Sequence, residues 1–233
     1  NGKTKEFMPP SFQKFDADFV VKYEPRKEAK KTAKKAEKGK EIKLKDYELD
    51  YLIHKDDGGV ILTGEKYYIT YKTSTSSSMY KPSFSTNKNL ATGTQTIYHY
   101  DNIIVINISP EGTIEWAQKI PKRQLTTSMR RFCSYSVTRI KDKLYFIFND
   151  NPKNLNISPT ATGVRAVIWG RAIPVIVTMD SKGNQKREAL SYGKELKKLW
   201  VVPTKAQLIS DNEMILYARS IKKSMRLFKI IFK

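Results

Sequence analysis

Three side chains are the natural starting points for nucleophilic or general-base chemistry: His54, His99 and Cys133, the only histidines and the only cysteine of the chain. A nucleophile needs a base within hydrogen-bond reach and a third group to orient that base. His54 follows a strand pattern at a turn, His99 stands between Tyr98 and Tyr100, and Cys133 alternates with Tyr135 and Val137. The alternation predicts a Cys133 that points into the core and is inert. Surface or hydrogen-bonding roles are expected for the histidines, because no spacing places a partner beside them. Zinc needs clustered Cys and His. The stretches DSKGN and NDNPKN (180–184 and 149–154) lack the regular ligand spacing and closing Glu of a calcium loop. Both read as turns, with Asn, Asp, Gly and Pro suiting the backbone angles. No phosphate-binding glycine loop is present. For glycoside hydrolysis the candidate carboxylates are Glu65, Glu115 and Asp150, whose separation the sequence leaves open. The expectation is therefore a protein that is not an enzyme, with no cofactor and no metal site.

The remaining chemistry is charge. The chain of 233 residues carries 43 basic and 23 acidic residues, a net charge of +20, a field that favours polyanions such as nucleic acid, acidic glycans or anionic membrane surfaces. Residues 22–45 alone hold eleven Lys and Arg against four Glu. Two clusters are the candidate polyanion contacts. Lys27, Lys30, Lys31, Lys34, Lys35 and Lys38 lie on a predicted helix, and Lys122, Arg123, Arg130 and Arg131 lie in and around the loop after AQKI. Such surfaces gain binding energy by releasing counterions from phosphates. No nucleic-acid-reading motif accompanies them, and a charge run is ordinarily a solvated face.

The elements that would position these residues are mostly strands. Residues 1–44 form an irregular N-terminal segment, with a strand at Phe19–Tyr23 and a helix at Pro25–Gly39. Pro25 suits the first helical position, Gly39 the position past the end, and alanine is the largest apolar side chain on the helix. From residue 45 to 233 the texture is β. In YELDYLI the alternation puts Tyr47, Leu49, Tyr51 and Ile53 on one face. In TIEWAQKI, Ile114, Trp116 and Ile120 share a face while Thr113, Glu115 and Lys119 face away. Residues 73–96, rich in Ser and Thr and without period, read as a long loop. A strand–turn–strand pattern occurs three times, at Ile53–Glu65, Thr138–Asp150 and Gln207–Arg219. Asp57, Asp142 and Asp211 mark its first turn, and Gly112 and Gly183 the second. The repeat is a four-strand antiparallel unit, at about 45–124, 132–192 and 199–233, the last one ending after its third strand. NIIVINI, LYFIFN and IPVIVTM are continuously apolar, as strands covered on both faces should be. A β-propeller-like all-β fold follows, with one short basic helix inserted. Three units are fewer than the roughly four to eight of a closed propeller. The reading is thus an incomplete, open assembly or a piece of a longer protein. Ile104, Ile106, Trp116, Phe146, Phe148, Val175, Val177 and Ile215 are expected in its core.

At GGVILTGEKYYI, HYDNIIVINISPEGTIEWAQKIPKRQ and LYFIFNDNPKNL the chain resembles a family of uncharacterised, exported bacterial proteins with propeller-like repeats. The resemblance spans roughly residues 45–233 and is strongest at EWAQKIPKRQ and FNDNP. It implies an extracytoplasmic location, in the periplasm, at the outer membrane or secreted, and carries over no catalytic residue. SPEGTIEW departs from the Asp-box of sialidase-like propellers, with Glu111 where Asp belongs and Gly112 one place early. A single cysteine excludes an internal disulfide, and no apolar run approaches the ~20 residues of a membrane-spanning helix. Asn1 in place of an initiator Met fits a processed or trimmed chain. The functional expectation is a non-catalytic binding or scaffold module for a protein or glycan partner. Polyanion binding, with nucleic acid the less favoured ligand, and a glycan-acting hydrolase on the same fold are the alternatives.

Overall fold

The computed structural model describes residues 13–76, 91–159, 161, 163–190, 199–220 and 225–232, and their strands form three antiparallel sheets. In the first sheet β1 (Tyr47–His54), β2 (Val60–Ser76), β3 (Ala91–Ile108) and β4 (Ile114–Ile120) pair in sequence order, and β5 (Gln124–Thr126) lies along Tyr98–Tyr100 of β3. The second is a meander of β6 (Ser136–Ile140), β7 (Lys143–Asp150), β8 (Ile173–Met179) and β9 (Gln185–Ala189). In the third, β10 (Trp200–Val201) and β11 (Gln207–Ser210) pair with opposite ends of β12 (Glu213–Arg219), whose other edge takes β13 (Met225–Ile231). The three sheets span residues 47–126, 136–189 and 200–231.

The second sheet is covered on both faces. Phe146 and Phe148 of β7 and Val175, Val177 and Met179 of β8 pack with Ile61, Ile103, Val105 and Ile120 of the first sheet. On the reverse face Ile140 and Ile147 pack with Val201, Met214, Leu216 and Ala218 of the third. Continuous apolar runs in β7 and β8 are what two-sided burial demands. Each fully buried Phe or Val contributes ~1.5–3 kcal/mol. Ile104, Ile106, Phe146, Phe148, Val175 and Val177 are buried as expected. Trp116 is half-buried at the rim, where its Nε1 donates to the Ser181 carbonyl at 2.9 Å and its ring covers Gly183. A Cβ at Gly183 would stand 3.3 Å from that ring, and φ there is +82°, so the turn needs glycine. Ile215 is half-buried because it lies on β12 opposite to Met214 and Leu216, away from the second sheet.

Four local expectations are corrected. Phe19–Tyr23 is not a strand: Ala17–Val21 form a helix, α1, capped by Asp16 Oδ1, which accepts from Phe19 N at 2.6 Å. The β-branched pair Val20–Val21 argues for a strand locally, but the cap and the burial of Val20 and Tyr23 override it. Residues 73–76 and 91–96 are not loop but the ends of β2 and β3, where Thr suits a strand; the rest of that loop, 77–90, lies outside the described residues, as do 1–12. Tyr47, Leu49, Tyr51 and Ile53 do not share a face, because the β1–β2 register shifts between Leu49 and Tyr51, around Asp50. One extra residue reverses the alternation, so Tyr51 meets Tyr135, just before β6, while Tyr47 meets Lys119 on the other side. Cys133, although buried, precedes β6 instead of lying in it.

The predicted basic helix is present as α2, Arg26–Glu37. Its end is a Schellman turn: Gly39 takes φ +64°, Gly39 N donates to Ala36 O and Lys40 N to Lys35 O. Ala29, Thr32 and Ala36 are half-buried and no residue of α2 is buried.

One residue joins the three sheets. Asn149, at the end of β7 and fully buried, donates from Nδ2 to the carbonyls of Phe132 and Val201, both at 2.8 Å, and its Oδ1 accepts from Val201 N at 3.1 Å. Its own carbonyl accepts from Gln124 Nε2 of β5 at 2.8 Å. Asn149→Ala leaves the backbone groups of Phe132 and Val201 unpaired, each costing ~1–3 kcal/mol. Denaturant unfolding of the variant should show a loss of about 3 kcal/mol or more; a loss under ~1 kcal/mol would contradict this role.

Candidate functional site

The predicted basic residues do not share one surface. Lys27, Lys30, Lys31, Lys34, Lys35 and Lys38 are all exposed on α2, and among the described residues none of them has an ion-pair partner. Lys31 and Lys35 also line a cleft of about 530 Å³ between α2 and Glu41–Tyr47. That cleft is close to neutral, because Glu24, Glu28, Glu41 and Asp46 line it as well.

In the second cluster Lys122 is fully buried and forms an ion pair with Glu65. Its Nζ also donates to the Tyr100 carbonyl at 2.9 Å and to Gln124 Oε1 at 3.1 Å. It is therefore no surface contact, which corrects the sequence reading. Arg123 is half-buried. Arg130 and Arg131 are exposed, and Arg130 lies 4.3 Å from the Tyr98 ring centroid and donates from Nε to Tyr100 Oη at 3.2 Å.

The carboxylate candidates are committed to internal partners. Glu65 lies against Lys122. Asp150, fully buried, pairs with Arg187, accepts from Asn151 N at 2.7 Å and from Asn154 Nδ2 at 2.8 Å. Arg187 also donates to the Pro121 carbonyl, so this pair ties the second sheet to the chain after β4. Burial holds both carboxyls above the usual range, with Lys122 opposing at Glu65 and Arg187 at Asp150. The stretch 149–154 holds the expected turn, at Pro152–Asn154 with Asn151 capping it, and its asparagines also serve as internal links: Asn154 bonds the backbone of Arg165 in both directions, and Asn151 Nδ2 reaches the Ala166 carbonyl.

Glu115 pairs with Lys55 at 3.1 Å and accepts from Asn107 Nδ2 at 2.6 Å. It lies in a cleft of about 390 Å³ where the turns of the first and second sheets meet, with Asp56, Asp57, Asp142, Asp180 and Arg139. Arg139 bridges the sheets to Asp56 at 2.7 and 3.1 Å. Among the described residues no three His, Cys, Asp or Glu are grouped to hold a metal. Cys133 is buried, and burial pushes its thiol up to about 12. His99 stacks on Tyr68 at 4.2 Å, shares a 2.8 Å hydrogen bond with Thr70 Oγ1, and is held below its usual range by burial and then Arg123. His54 is exposed.

Sequence reasoning missed a charged cluster under α1. Lys119, predicted to face solvent, is fully buried. Its Nζ donates to the carbonyls of Val20 (2.9 Å) and Lys22 (3.4 Å) at the end of α1, where the helix dipole favours a cation. Glu24 completes it, 3.6 Å from Lys119 and 2.7 Å from Lys66. Tyr47 lies beside them, its hydroxyl pushed well up by burial and then by Glu24. The signal that could have revealed this cluster is Glu24 itself, an acid beside Pro25 at the start of a lysine-rich helix.

Two measurements check these assignments. Burial lowers the Lys119 pKa from 10.5 to about 8, with Glu24 opposing. Between those values the unfolded chain binds the extra proton, so this group's contribution to stability rises with pH across that window, by on the order of 3 kcal/mol. Below about 8 the cost of burying the ammonium is fully present. Urea unfolding at a series of pH values should show this rise flattened in Lys119→Met. Second, replacing the six exposed α2 lysines by Gln should leave the thermal midpoint nearly unchanged, since each surface change is worth within about 0.5 kcal/mol; unfolding of the domain would show that α2 is part of the core. In comparison with known proteins, no family model matches the chain and no curated protein or solved structure matches it.

Proposed function

We propose that this chain is a non-catalytic binding or scaffold module with a β-propeller-like arrangement of sheets, belonging to an exported bacterial protein. The arrangement is supported by the repeat: three sheets, each begun by a strand–turn–strand, with the middle one covered on both faces. The observation that carries the functional reading is the placement of the acids. A glycan-cleaving enzyme presents two carboxyl groups to its substrate across an open cleft. Here Glu65 and Asp150 are sealed between strands, each engaged with a buried cation and its neighbours, and Glu115, in the cleft with Asp56, Asp57, Asp142 and Asp180, is paired with Lys55. They cross-link the scaffold, and rigid scaffolds of this kind leave recognition to their connecting segments. A second reading, polyanion binding through α2, is favoured by the six exposed lysines, none of which forms an ion pair among the described residues.

The test is a pair of variants, Glu65→Gln and Asp150→Asn. As scaffold residues they should each lower stability by about 2–4 kcal/mol, because the buried cation loses its partner, while polysaccharides are released uncleaved by wild type and variants alike in a reducing-end assay. Turnover by the wild type that disappears in either variant, with the thermal midpoint unchanged, would overturn this proposal in favour of a hydrolase.

A further inference from the structure

The two longest strands outrun their sheet. β1 accompanies β2 only as far as Lys66, β4 accompanies β3 only from Ile103 onward, and β5 reaches only Tyr98–Tyr100. From Thr70 to Ser76 and from Ala91 to Ile97, β2 and β3 pair with each other alone among the described residues. A two-stranded ribbon therefore projects from the first sheet.

Its side chains have a consistent chemistry. Cross-strand partners share a face, so Tyr67 with Tyr100, Ile69 with Tyr98, and Tyr71 with Thr96 form one side. Tyr67 and Tyr100 lie with ring centroids 5.0 Å apart. Farther out, Ile69 is 40% and Tyr71 is 71% exposed. From Tyr67 to Tyr100 the sequence holds three lysines, Lys72 among them, and no Asp or Glu. Exposed Arg130 stands at the root of the same face, against Tyr98. Asp101, next in sequence, is buried and accepts from Tyr68 on the opposite face. Thr73, Thr94 and Thr96 share the Tyr71 face, whereas Thr70, Lys72 and Gln95 lie on the other.

We propose that this ribbon binds an acidic polysaccharide, an assignment that rests on the binding-module reading and names its partner class. A sugar ring lays its C–H face on the open Tyr71 ring, the hydroxyls of Thr73, Thr94 and Thr96 on that face meet sugar hydroxyls, and Arg130 at its root meets carboxylates or sulfates. An aromatic and basic surface also suits single-stranded nucleic acid, but base binding uses a series of open rings on which successive bases stack. Tyr67 and Tyr100 lie against each other and Tyr98 against Arg130, which leaves Tyr71 as the open platform. One platform surrounded by hydroxyl partners is the geometry for sugar.

The test is a binding titration of the whole chain with polygalacturonate, dextran and oligo(dT) at low ionic strength. Polygalacturonate should bind, dextran should not, and oligo(dT) should bind more weakly. Tyr71→Ala with Arg130→Gln should weaken polygalacturonate binding about tenfold or more, with an unchanged thermal midpoint, while replacement of the α2 lysines by Gln should alter it less than about twofold. Absence of polygalacturonate binding, equal binding of dextran, tighter binding of oligo(dT), or undiminished binding by the ribbon variant would each overturn the proposal. Cleavage of polygalacturonate would refute the non-catalytic reading without touching the ribbon assignment, which the Tyr71→Ala, Arg130→Gln variant decides on its own.

Discussion

The carboxamide of Asn149 is the point on which the arrangement of sheets depends. Apolar packing is non-directional: the clusters on either face of the second sheet would tolerate sliding and rotation of its neighbours. An amide that donates to two carbonyls and accepts from one N–H, with its own carbonyl held by Gln124, does not. Because the site is dry, every one of these bonds must form or a buried polar group is left bare. The neighbouring pairs Glu65–Lys122 and Asp150–Arg187 add further fixed points near the same end of the stack. Replacing buried charges of this kind by apolar groups often does not weaken a protein. Their role is in specifying one geometry rather than in adding net stability.

The opposite face of the first sheet is organised by one acid and two lysines. Without a second sheet on that side, the N-terminal segment provides the cover, and Glu24 attaches it through Lys66 and Lys119. The short helix α1 aims its terminal carbonyls at the same ammonium. A five-residue helix has little stability of its own; docking onto a buried cation is what selects it over the strand its β-branched residues prefer.

Much of this architecture is legible in the sequence. Continuous apolar runs mark β7, β8 and the inner half of β3, aspartate and glycine mark the turns, and Pro25 and Gly39 bracket α2 to within two residues. What is not legible depends on cover supplied from elsewhere in the chain. A lysine on the outward side of an alternating strand reads as solvated, and only the arrival of α1 buries Lys119. Lys122 reads as part of a basic loop until Glu65 is brought against it. Asn149, Asn151 and Asn154 have turn-like composition, yet serve through their side chains, a distinction composition does not encode. Asp50, a single inserted residue, flips half of β1 with no mark in the pattern beyond its own polarity.

The far side of the third sheet has a colloidal meaning. Met225, Leu227 and Ile231 stand more than half exposed on β13. A patch of this kind attracts its own copies, and the natural opponent is the net charge of +20 carried by every copy. That repulsion acts over a Debye length, about 10 Å at 0.1 M salt and about 3 Å at 1 M. Monodispersity of this protein is therefore set by ionic strength: dilute buffer keeps copies apart, whereas concentrated salt, or a polyanion that neutralises the lysines, leaves the apolar strand to govern how the molecules meet.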